Sequence, residues 1–270
     1  MLAITACSSV GLLNSSVSRT GLIAENDIAY GTAKEMKLDL YKLKDAAPGM
    51  PVVVFFHGSS WQAGNKSEYV FVAEPLARAG FLVAVPNYSL YPPATYPQFL
   101  DDGAEAVSWM KKHAKEHGGD PNNIILIGHS AGAYIATMLA LDESYMKNAE
   151  GNARWIKGVV GLAGLYDFLP LKDEKLKAIF GPEKGLKMTQ PVNHVGRNEP
   201  PMLLLHGDQD LDVKPSNTIH LADKLVEKGN RVESVIYPGL DHKGIVLEFA
   251  SPLVHKTDVL EQVIQFVKRR

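Results

Sequence analysis

The 270-residue chain lacks several features that would indicate whole classes of protein. Its only cysteine is Cys7, which excludes an intrachain disulfide and a cysteine-based metal site. No apolar run approaches the length that a membrane-spanning helix needs. The formal net charge is −2, so the charge balance gives no electrostatic case for binding nucleic acid or an anionic membrane.

Short apolar runs and helical patterns instead alternate along most of the chain. Strands are predicted over residues 36–43, 51–56, 81–85, 124–127, 156–162, 201–205 and 232–237. Most of these runs are continuously apolar, which is typical of a mostly parallel sheet with helices on both faces. No linker or internal repeat divides the chain. We therefore predict an N-terminal tail, residues 1–35, and a single α/β domain, residues 36–270.

The stretch from Ile124 to Leu141 carries the strongest chemical signal. Four branched apolar residues predict a buried strand, and the alanine- and leucine-rich run after Ala131 predicts a helix. Between them lies Gly128-His129-Ser130-Ala131-Gly132, a Gly-x-Ser-x-Gly turn. In a strand–turn–helix context this motif predicts a nucleophile elbow with Ser130 at its apex. The alternative from five letters alone is an ordinary glycine-rich turn.

A serine nucleophile needs a base to take its proton and an acid to orient that base. His242 is the only histidine in the loop after the last predicted strand, and we predict that it is the base. The loop after the strand at 201–205 offers three carboxylates, Asp208, Asp210 and Asp212. An ordinary polar turn is the alternative for each of them.

The developing oxyanion of an attacked carbonyl needs preorganised N–H donors. The N–H of Ala131 directly follows the nucleophile, and Ser59 and Ser60 lie in an early strand-to-helix loop, so we predict that these three residues form the oxyanion hole. The alternative for the early loop is a tight turn closing on a core tryptophan. Loop residues predicted to line the substrate pocket are Trp61, Tyr88, Leu165 and Tyr166.

Six segments in order resemble the α/β-hydrolase-fold serine esterases, in particular the carboxylesterase and kynurenine-formamidase-like branch. They are His57-Gly58…Trp61…Gly64, Asn87-Tyr88…Pro97…Asp101 leading to Trp109, Gly128–Gly132, Gly164-Leu165-Tyr166-Asp167, His206-Gly207…Asp210 and Pro238-Gly239…His242. The resemblance implies a three-layer α/β-hydrolase fold and an acyl-serine intermediate without metal or organic cofactor. No long insertion interrupts the predicted elements, so we expect little or no cap. It also selects Asp210 as the acid, four positions after His206. The family usually has glycine at the Ser59 position and commonly at Ser60, and a positive φ at either serine would impose strain.

The sequence thus predicts a carboxylesterase-like enzyme whose partner is a small-molecule ester of modest chain length. An arylformamidase or other amidase uses the same site, and a non-catalytic binding protein on a hydrolase scaffold is a third alternative. The sequence leaves the natural ester and the oligomeric state open. His113 and His117 lie one helical turn apart, but flanking lysines favour a solvated face over a metal site.

Residues 1–9 resemble the end of a bacterial lipoprotein signal, in which small residues precede a lipid-modified cysteine. Ile4, Thr5 and Ala6 fit that pattern before Cys7, and a serine-containing stretch follows as a tether would. The resemblance predicts a lipid anchor at Cys7 and a periplasmic or membrane-anchored protein. The alternative is a plain, weakly polar terminus on a cytoplasmic protein.

Overall fold

The computed structural model describes residues 13–14, 17–181, 185–250 and 256–270. The strands of this part are β1 Leu22–Ala29, β2 Lys37–Leu43, β3 Met50–Phe56, β4 Leu82–Pro86, β5 Gly119–His129, β6 Ile156–Leu162, β7 Met202–Gly207 and β8 Val232–Tyr237. The α-helices are α1 Val70–Arg78, α2 Gln98–His113, α3 Ala131–Leu141, α4 Glu143–Asn148, α5 Glu174–Phe180, α6 Ser216–Glu227, α7 Gly244–Leu247 and α8 Val259–Lys268. Short 3₁₀ helices occupy Lys66–Tyr69, Ala114–His117, Ala153–Trp155, Leu186–Thr189 and Pro191–Asn193.

The described strands form one sheet in the order β1-β2-β4-β3-β5-β6-β7-β8. The β1–β2 and β2–β4 pairs are antiparallel, and every pair from β4 to β8 is parallel. The mostly parallel sheet predicted from the continuous apolar strands is therefore confirmed. Parallel strands require crossover connections, and the helices supply them.

Two hydrophobic clusters, one on each face, hold the sheet between layers of helices. Successive residues of β3 alternate between the clusters, so that Val54 and Phe56 join one while Val53 and Phe55 join the other. Cluster A, which contains Phe56, includes residues of α2, α3 and α6. Cluster B, which contains Phe55, includes residues of α1, α7 and α8. Burial on both faces is the physical reason that the central strands contain runs of consecutive apolar residues.

The sheet extends further toward the N-terminus than predicted. Residues 22–29, assigned from the sequence to a tail ending at residue 35, form β1 and pair with β2. A register shift between Glu25 and Ile28 interrupts this pairing, and the strand carries Asn26 and Asp27. The predicted boundary at residue 36 is therefore wrong for this segment. Cys7, the predicted lipid site, lies outside the described residues.

The parallel topology brings several strand ends to one edge of the sheet. β3 ends at Phe56, β5 at His129, β7 at Gly207 and β8 at Tyr237, and the predicted site residues follow these ends. Ligands of open α/β sheets bind at the carboxyl ends of the strands. In the described ranges, no helix combines the length and apolarity required for a membrane span.

Candidate active site

Ser130 lies at the apex of a strained turn between β5 and α3. Its φ of 56° and ψ of −120° are unfavourable for a residue with a β-carbon, and its N–H donates to the Leu162 carbonyl at 2.8 Å. Gly128 and Gly132 permit this geometry, because a Cβ at Gly128 would collide with the Gly132 carbonyl and one at Gly132 with the Phe56 carbonyl. The elbow geometry predicted from Gly-x-Ser-x-Gly is what the chain adopts.

The side chains of Ser130, His242 and Asp210 form a continuous hydrogen-bonded series. The Ser130 hydroxyl donates to His242 Nε2, with 2.9 Å between Oγ and Nε2. The His242 Nδ1–H donates to Asp210 Oδ2 at 2.7 Å. Asp210 and Ser130 are each only 4% exposed, so water competes little for these bonds. The structure thus brings together the three residues that the sequence analysis proposed as nucleophile, base and acid.

Asp210 is held by more than His242. Its Oδ1 accepts from the N–H groups of Asp212 at 3.0 Å and Val213 at 2.8 Å, and its Oδ2 lies 3.0 Å from His206 Nε2. Burial alone would raise the pKa of Asp210, but the hydrogen bonds from His206, His242 and the Val213 N–H outweigh it and hold that pKa well below its usual range. Asp210 is therefore ionised and fixed in orientation.

His206 lies next to Asp210, and its contacts hold that carboxylate in place. The imidazole is fully buried, and its Nδ1 accepts from the Thr218 hydroxyl at 2.8 Å. Its Nε2 faces two acceptors, Asp210 Oδ2 and the Val213 carbonyl, so a ring hydrogen lies on Nε2. The neighbouring carboxylates, Asp208 and Asp212, make no hydrogen bond with His242; Asp208 instead accepts from the Gly239 N–H at 2.7 Å.

His129, within the elbow, connects the nucleophile turn to the loop that carries His242. Its Nε2–H donates to the His242 carbonyl at 2.8 Å, and the two rings lie 4.9 Å apart. Burial, together with the nearby His242, lowers the pKa of His129 to about 3. His129 is therefore neutral at neutral pH and acts on His242 through a main-chain hydrogen bond.

The loop after β3 adopts an uncommon backbone. Ser59, Ser60 and Trp61 have φ values of 85°, 52° and 58°, the region that favours glycine. Among the described residues, no backbone carbonyl accepts a hydrogen bond from the N–H of Ser59, Ser60 or Ala131. These donors are available to an oxyanion, which is the arrangement predicted from the sequence, and their part in catalysis stays a prediction.

A cavity of about 830 Å³ opens over Ser130 and His242. Its lining in the described part of the chain combines apolar side chains with a few charged ones: Leu13, Ser59, Ser60, Trp61, Gln62, Glu68, Tyr69, Phe71, His129, Ser130, Leu165, Asp173, Lys175, Leu176, Asp212, Val213, His242, Lys243, Val246 and Leu247. This size suits a small organic molecule. The helix α5 contributes Lys175 and Leu176, and no larger element covers the cavity among the described residues.

Two of the four predicted pocket residues border this cavity and two do not. Leu165 and Trp61 lie at its wall, although the Trp61 ring is fully buried against Phe99 and Phe180. The prediction for Tyr88 is wrong: its ring is buried against His57 at 4.5 Å. The Tyr88 hydroxyl donates to the His57 carbonyl, so the residue supports the oxyanion loop from beneath.

The prediction for Tyr166 is also wrong. Its side chain is fully buried over Gly161 and Gly164, where any β-carbon would collide with it. Sequence analysis missed the apolar residues Leu13, Tyr69, Phe71 and Val246, which do border the cavity. Tyr69 and Phe71 lie about ten residues after the Ser59–Trp61 loop, and Val246 lies four residues after His242. This proximity in the sequence is the signal that could have identified them.

The described residues contain no cluster of three or more His, Cys, Asp or Glu side chains suited to a metal ion. The two histidines considered for zinc have other contacts. His113 stacks on Trp109 at 4.6 Å, and His117 Nδ1 lies 3.0 Å from Glu25 on β1. The side chains that hydrogen bonds bring together at this site are those of Ser130, His242 and Asp210.

Residues 38–225 match the family model described as BD-FAE. The chain belongs to the BD-FAE family. The match begins in β2 and ends in α6, so it includes the elbow, the oxyanion loop and Asp210 but stops before His242. His242, in the loop that follows β8, lies C-terminal to the matched range.

Curated relatives of this BD-FAE chain are named as ester and amide hydrolases. The probable isoprenylcysteine alpha-carbonyl methylesterase ICMEL1 of Arabidopsis thaliana is 28% identical over 82% of this chain and 51% of its own length. The kynurenine formamidase of Danio rerio is 27% identical over 94% of this chain and 83% of its own length. The chain spans 51% and 61% of the length of the first two methylesterase relatives.

Solved structures show the same fold. A truncated form of a carbohydrate esterase from gut microbiota superimposes with a TM-score of 0.83 at 20% identity, covering 94% of this chain and 98% of that chain. Thermogutta terrifontis esterase 2, with butyrate bound, gives a TM-score of 0.74 at 24% identity over 91% and 94% of the two chains. The α/β-hydrolase fold and the resemblance to its esterase branch, both inferred from the sequence, are confirmed.

Proposed function

We propose that this protein is a serine hydrolase that cleaves small carboxylic esters through an acyl-serine intermediate. The observation that carries the proposal is the series Ser130–His242–Asp210, with contacts of 2.9 and 2.7 Å at the floor of the cavity. Membership of the BD-FAE family and the names of the curated relatives support the same class of reaction.

In the proposed first step, Ser130 Oγ attacks the ester carbonyl while His242 Nε2 takes the hydroxyl proton. The carbonyl oxygen becomes an oxyanion and accepts hydrogen bonds from the N–H of Ala131 and from the Ser59–Ser60 loop. The protonated His242 then gives its proton to the leaving alkoxide, and the alcohol departs from the acylated serine. Asp210, held ionised by its hydrogen bonds, stabilises the cationic imidazole throughout.

In the second step, water attacks the acyl-serine carbonyl and gives a proton to His242. Collapse of the tetrahedral intermediate breaks the Ser130 ester bond, and His242 returns the proton to Ser130 Oγ. The products are a carboxylic acid and an alcohol, and the enzyme regains its starting state. No oxidant, reductant or cofactor enters this balance.

The cavity supports a substrate of modest size. About 830 Å³ accommodates a small ester, and the absence of a large covering element in the described chain leaves the site open. We expect 4-nitrophenyl butyrate to be hydrolysed at least tenfold faster than the palmitate ester, on the order of the discrimination that a few apolar contacts give. Equal rates on the two esters would argue against the proposed size class.

A second candidate reaction is hydrolysis of an arylformamide. The similarity to the Danio rerio kynurenine formamidase over 94% of this chain favours it, and the same three residues attack a formamide by the same steps. The direct comparison is kcat/KM for N-formylkynurenine against 4-nitrophenyl acetate and butyrate. A clear excess for the formamide would replace the ester as substrate class without changing the roles of Ser130, His242 and Asp210.

The test of the site itself is hydrolysis of 4-nitrophenyl acetate by the wild type, Ser130→Ala and Ser108→Ala. Ser108 is a matched control, because it is a buried serine on α2 that does not border the cavity. We expect Ser130→Ala to lose at least about a thousandfold in kcat, as removal of a nucleophile does, and Ser108→Ala to keep wild-type activity. A folded wild type without hydrolytic activity would support a binding protein instead.

The N-terminal prediction is separate from this chemistry. We also propose that Cys7 carries a lipid and that the residues before β1 connect the anchor to the folded domain. Mass spectrometry of the native protein tests this: a diacylglyceryl adduct on Cys7 is expected, and an unmodified Cys7 would remove the proposal.

A further inference from the structure

The chain before β1 reaches the mouth of the candidate active site. Leu13 borders the cavity over Ser130 and packs against cluster B. The neighbouring Val17 packs against the same cluster without bordering the cavity. Residues that the sequence analysis assigned to a tail therefore contact the proposed substrate site.

Two groups of hydrogen bonds fix this segment along α1. At the start of the helix, Asn14 Nδ2–H donates to the Ser67 carbonyl at 2.8 Å, and Asn14 Oδ1 accepts from the Phe71 N–H at 3.2 Å. At its end, the Arg78 guanidinium donates to the carbonyls of Ser18 and Thr20 at 3.0 and 3.2 Å. These bonds fix the described residues Asn14, Ser18 and Thr20 next to α1 and the turn before it.

The apolar lining of the cavity comes from two separate walls. One belongs to cluster A and includes Trp61, Leu165 and Val213. The other belongs to cluster B and includes Tyr69, Phe71 and Val246, with Leu13 packed against them. An ester presents two substituents, one on the acyl side and one on the alcohol side, and a cavity that holds Ser130 and has two apolar walls matches that requirement.

We infer that Leu13 is a specificity-determining residue, whose side chain limits the length of one apolar substituent of the ester, and that Asn14 is the positioning residue that holds it there. The inference rests on the proposed function for the identity of the substrate. What it adds about the structure is that Leu13, which precedes β1, forms part of the substrate pocket.

The first experiment compares Leu13→Ala, Leu13→Trp and Val17→Ala on two series of esters. One series varies the acyl chain of 4-nitrophenyl esters from acetate to octanoate, and the other varies the alcohol of acetate esters. Each buried methylene contributes roughly fourfold to binding, so Leu13→Ala should raise the long-to-short ratio of kcat/KM in one series by about three- to tenfold. Leu13→Trp should lower that ratio, and Val17→Ala should leave it within about twofold, since Val17 packs without lining the site.

The second experiment separates anchoring from packing. Asn14→Ala removes both hydrogen bonds to the start of α1, and we expect it to shift the chain-length ratio in the same direction as Leu13→Ala while acetate hydrolysis is retained. The matched control is Asn152→Ala, which removes an asparagine cap from the Ala153–Trp155 helix before β6 and does not border the cavity. A ratio shifted equally by Asn152→Ala would assign the effect to lost stability.

Binding to the Ser130→Ala variant distinguishes failure of this inference from failure of the proposed function. Dissociation constants for ethyl esters from acetate to octanoate are measured by calorimetry with and without Leu13→Ala. Suppose that the wild type hydrolyses no ester but the Leu13 substitution still changes how binding depends on chain length. The assignment of Leu13 to the pocket is then supported, and the proposed ester hydrolysis is contradicted. If esters are hydrolysed while both Leu13 variants keep the ratios of Val17→Ala, the inference is overturned.

Discussion

At the scale of single residues, the site depends on backbone conformations that most side chains avoid. Ser130 has a φ of 56°, and Ser59, Ser60 and Trp61 follow one another with positive φ in the facing loop. Such conformations persist only where the surroundings impose them, and they concentrate at functional sites. Among the described residues, the N–H groups of Ser59 and Ser60, which border the cavity, have no backbone carbonyl partner, whereas the Ser130 N–H donates to the Leu162 carbonyl.

The serines at positions 59 and 60 cost stability without supplying the proposed donors, which are backbone groups. Ser59→Gly and Ser60→Gly should each raise the free energy of unfolding by about 1 kcal/mol, because glycine adopts positive φ without steric penalty. Ester hydrolysis should be retained, since the N–H groups remain. Urea denaturation measures the first effect, and Ser234→Gly on the exposed part of β8 is the control, expected to destabilise. A loss of activity in Ser60→Gly would instead show that the hydroxyl itself contributes.

The choice among three carboxylates also belongs to this scale. Asp210→Asn should lower kcat by about 10³–10⁴, because an amide that donates to His242 Nδ1 stabilises the wrong tautomer. Asp208→Asn serves as the control, since Asp208 contacts the Gly239 N–H rather than His242, and it should change kcat only a few-fold. Similar losses in the two variants would contradict the assignment of Asp210.

At the scale of elements, Lys66 joins the 3₁₀ helix that it begins to β2 through a buried ion pair with Asp39, and to β1 through a partly exposed one with Asp27. Lys66 Nζ lies 2.6 Å from Asp39 Oδ1 on β2 and 2.9 Å from Asp27 Oδ1 on β1. Asp39 is 2% exposed, and it also accepts from the Asp27 N–H at 2.9 Å. The lysine therefore connects two strands at the edge of the sheet to the segment that leads into α1.

Removing the lysine should leave the Asp39 carboxylate buried without its cation. Lys66→Met is expected to destabilise the fold by roughly 3–5 kcal/mol, the range found when one partner of a buried pair is removed. Asp27→Asn should have a small effect, because the Asp27 side chain is 65% exposed and water screens its charge. Equilibrium urea unfolding of both variants gives the comparison, and equal losses would show that Asp39 is not the controlling partner.

Sequence analysis predicted the elements whose own residues, without their partners in the fold, indicate a strand or a helix. β3, β5, β6 and β7 each contain a run of consecutive apolar residues, and α3 is rich in alanine and leucine, so composition alone identifies these parts. β5 begins earlier than predicted, at Gly119, and includes Asp120, Asn122 and Asn123. β1 escaped prediction because Leu22-Ile-Ala-Glu-Asn-Asp-Ile-Ala29 has neither alternation nor an apolar run. It is a strand because β2 offers it an edge to pair with, and that edge exists only in the folded sheet.

At the scale of the whole molecule, two buried histidines with lowered pKa values, His57 and His129, make stability depend on pH. Burial lowers the pKa of His57 to about 4, against the opposing hydrogen bond with the Gly58 carbonyl, and it lowers that of His129 to about 3. Below pH 6.5 these two histidines bind protons in the unfolded chain but stay neutral in the folded chain. Stability should thus be retained above pH 7 and lost as the pH falls toward 4, by roughly 3 kcal/mol for each histidine.

Urea denaturation at pH 7.5, 6 and 5 measures this dependence in a range above most carboxyl pKa values. His129→Gln should reduce the slope by about one proton, or 1.36 kcal/mol per pH unit, since glutamine cannot take up the proton. A stability independent of pH between 7.5 and 5 would contradict the burial of neutral histidines.

Much of the site's chemistry was predictable, whereas much of its shape was not. Ser130 was predicted from its motif, His242 from its place after the last strand, and Asp210 from the family resemblance. All three lie in loops that follow strands, so their order in the chain carries the information. Tyr88 and Tyr166 were misassigned to the pocket, since whether a loop aromatic faces the cavity or the core depends on the path of the loop. Leu13 was missed because it lies more than a hundred residues before Ser130 and His242 in the sequence, and no local pattern indicates a contact over that separation.

The measurement that tests the central claim most directly is covalent labelling with a fluorophosphonate, followed by mapping of the adduct by mass spectrometry. The account predicts one adduct per chain, located on Ser130, which disappears in Ser130→Ala and forms at least about a hundredfold more slowly in His242→Ala because the base is missing. A folded wild type that remains unlabelled, or an adduct that persists in Ser130→Ala, would contradict it.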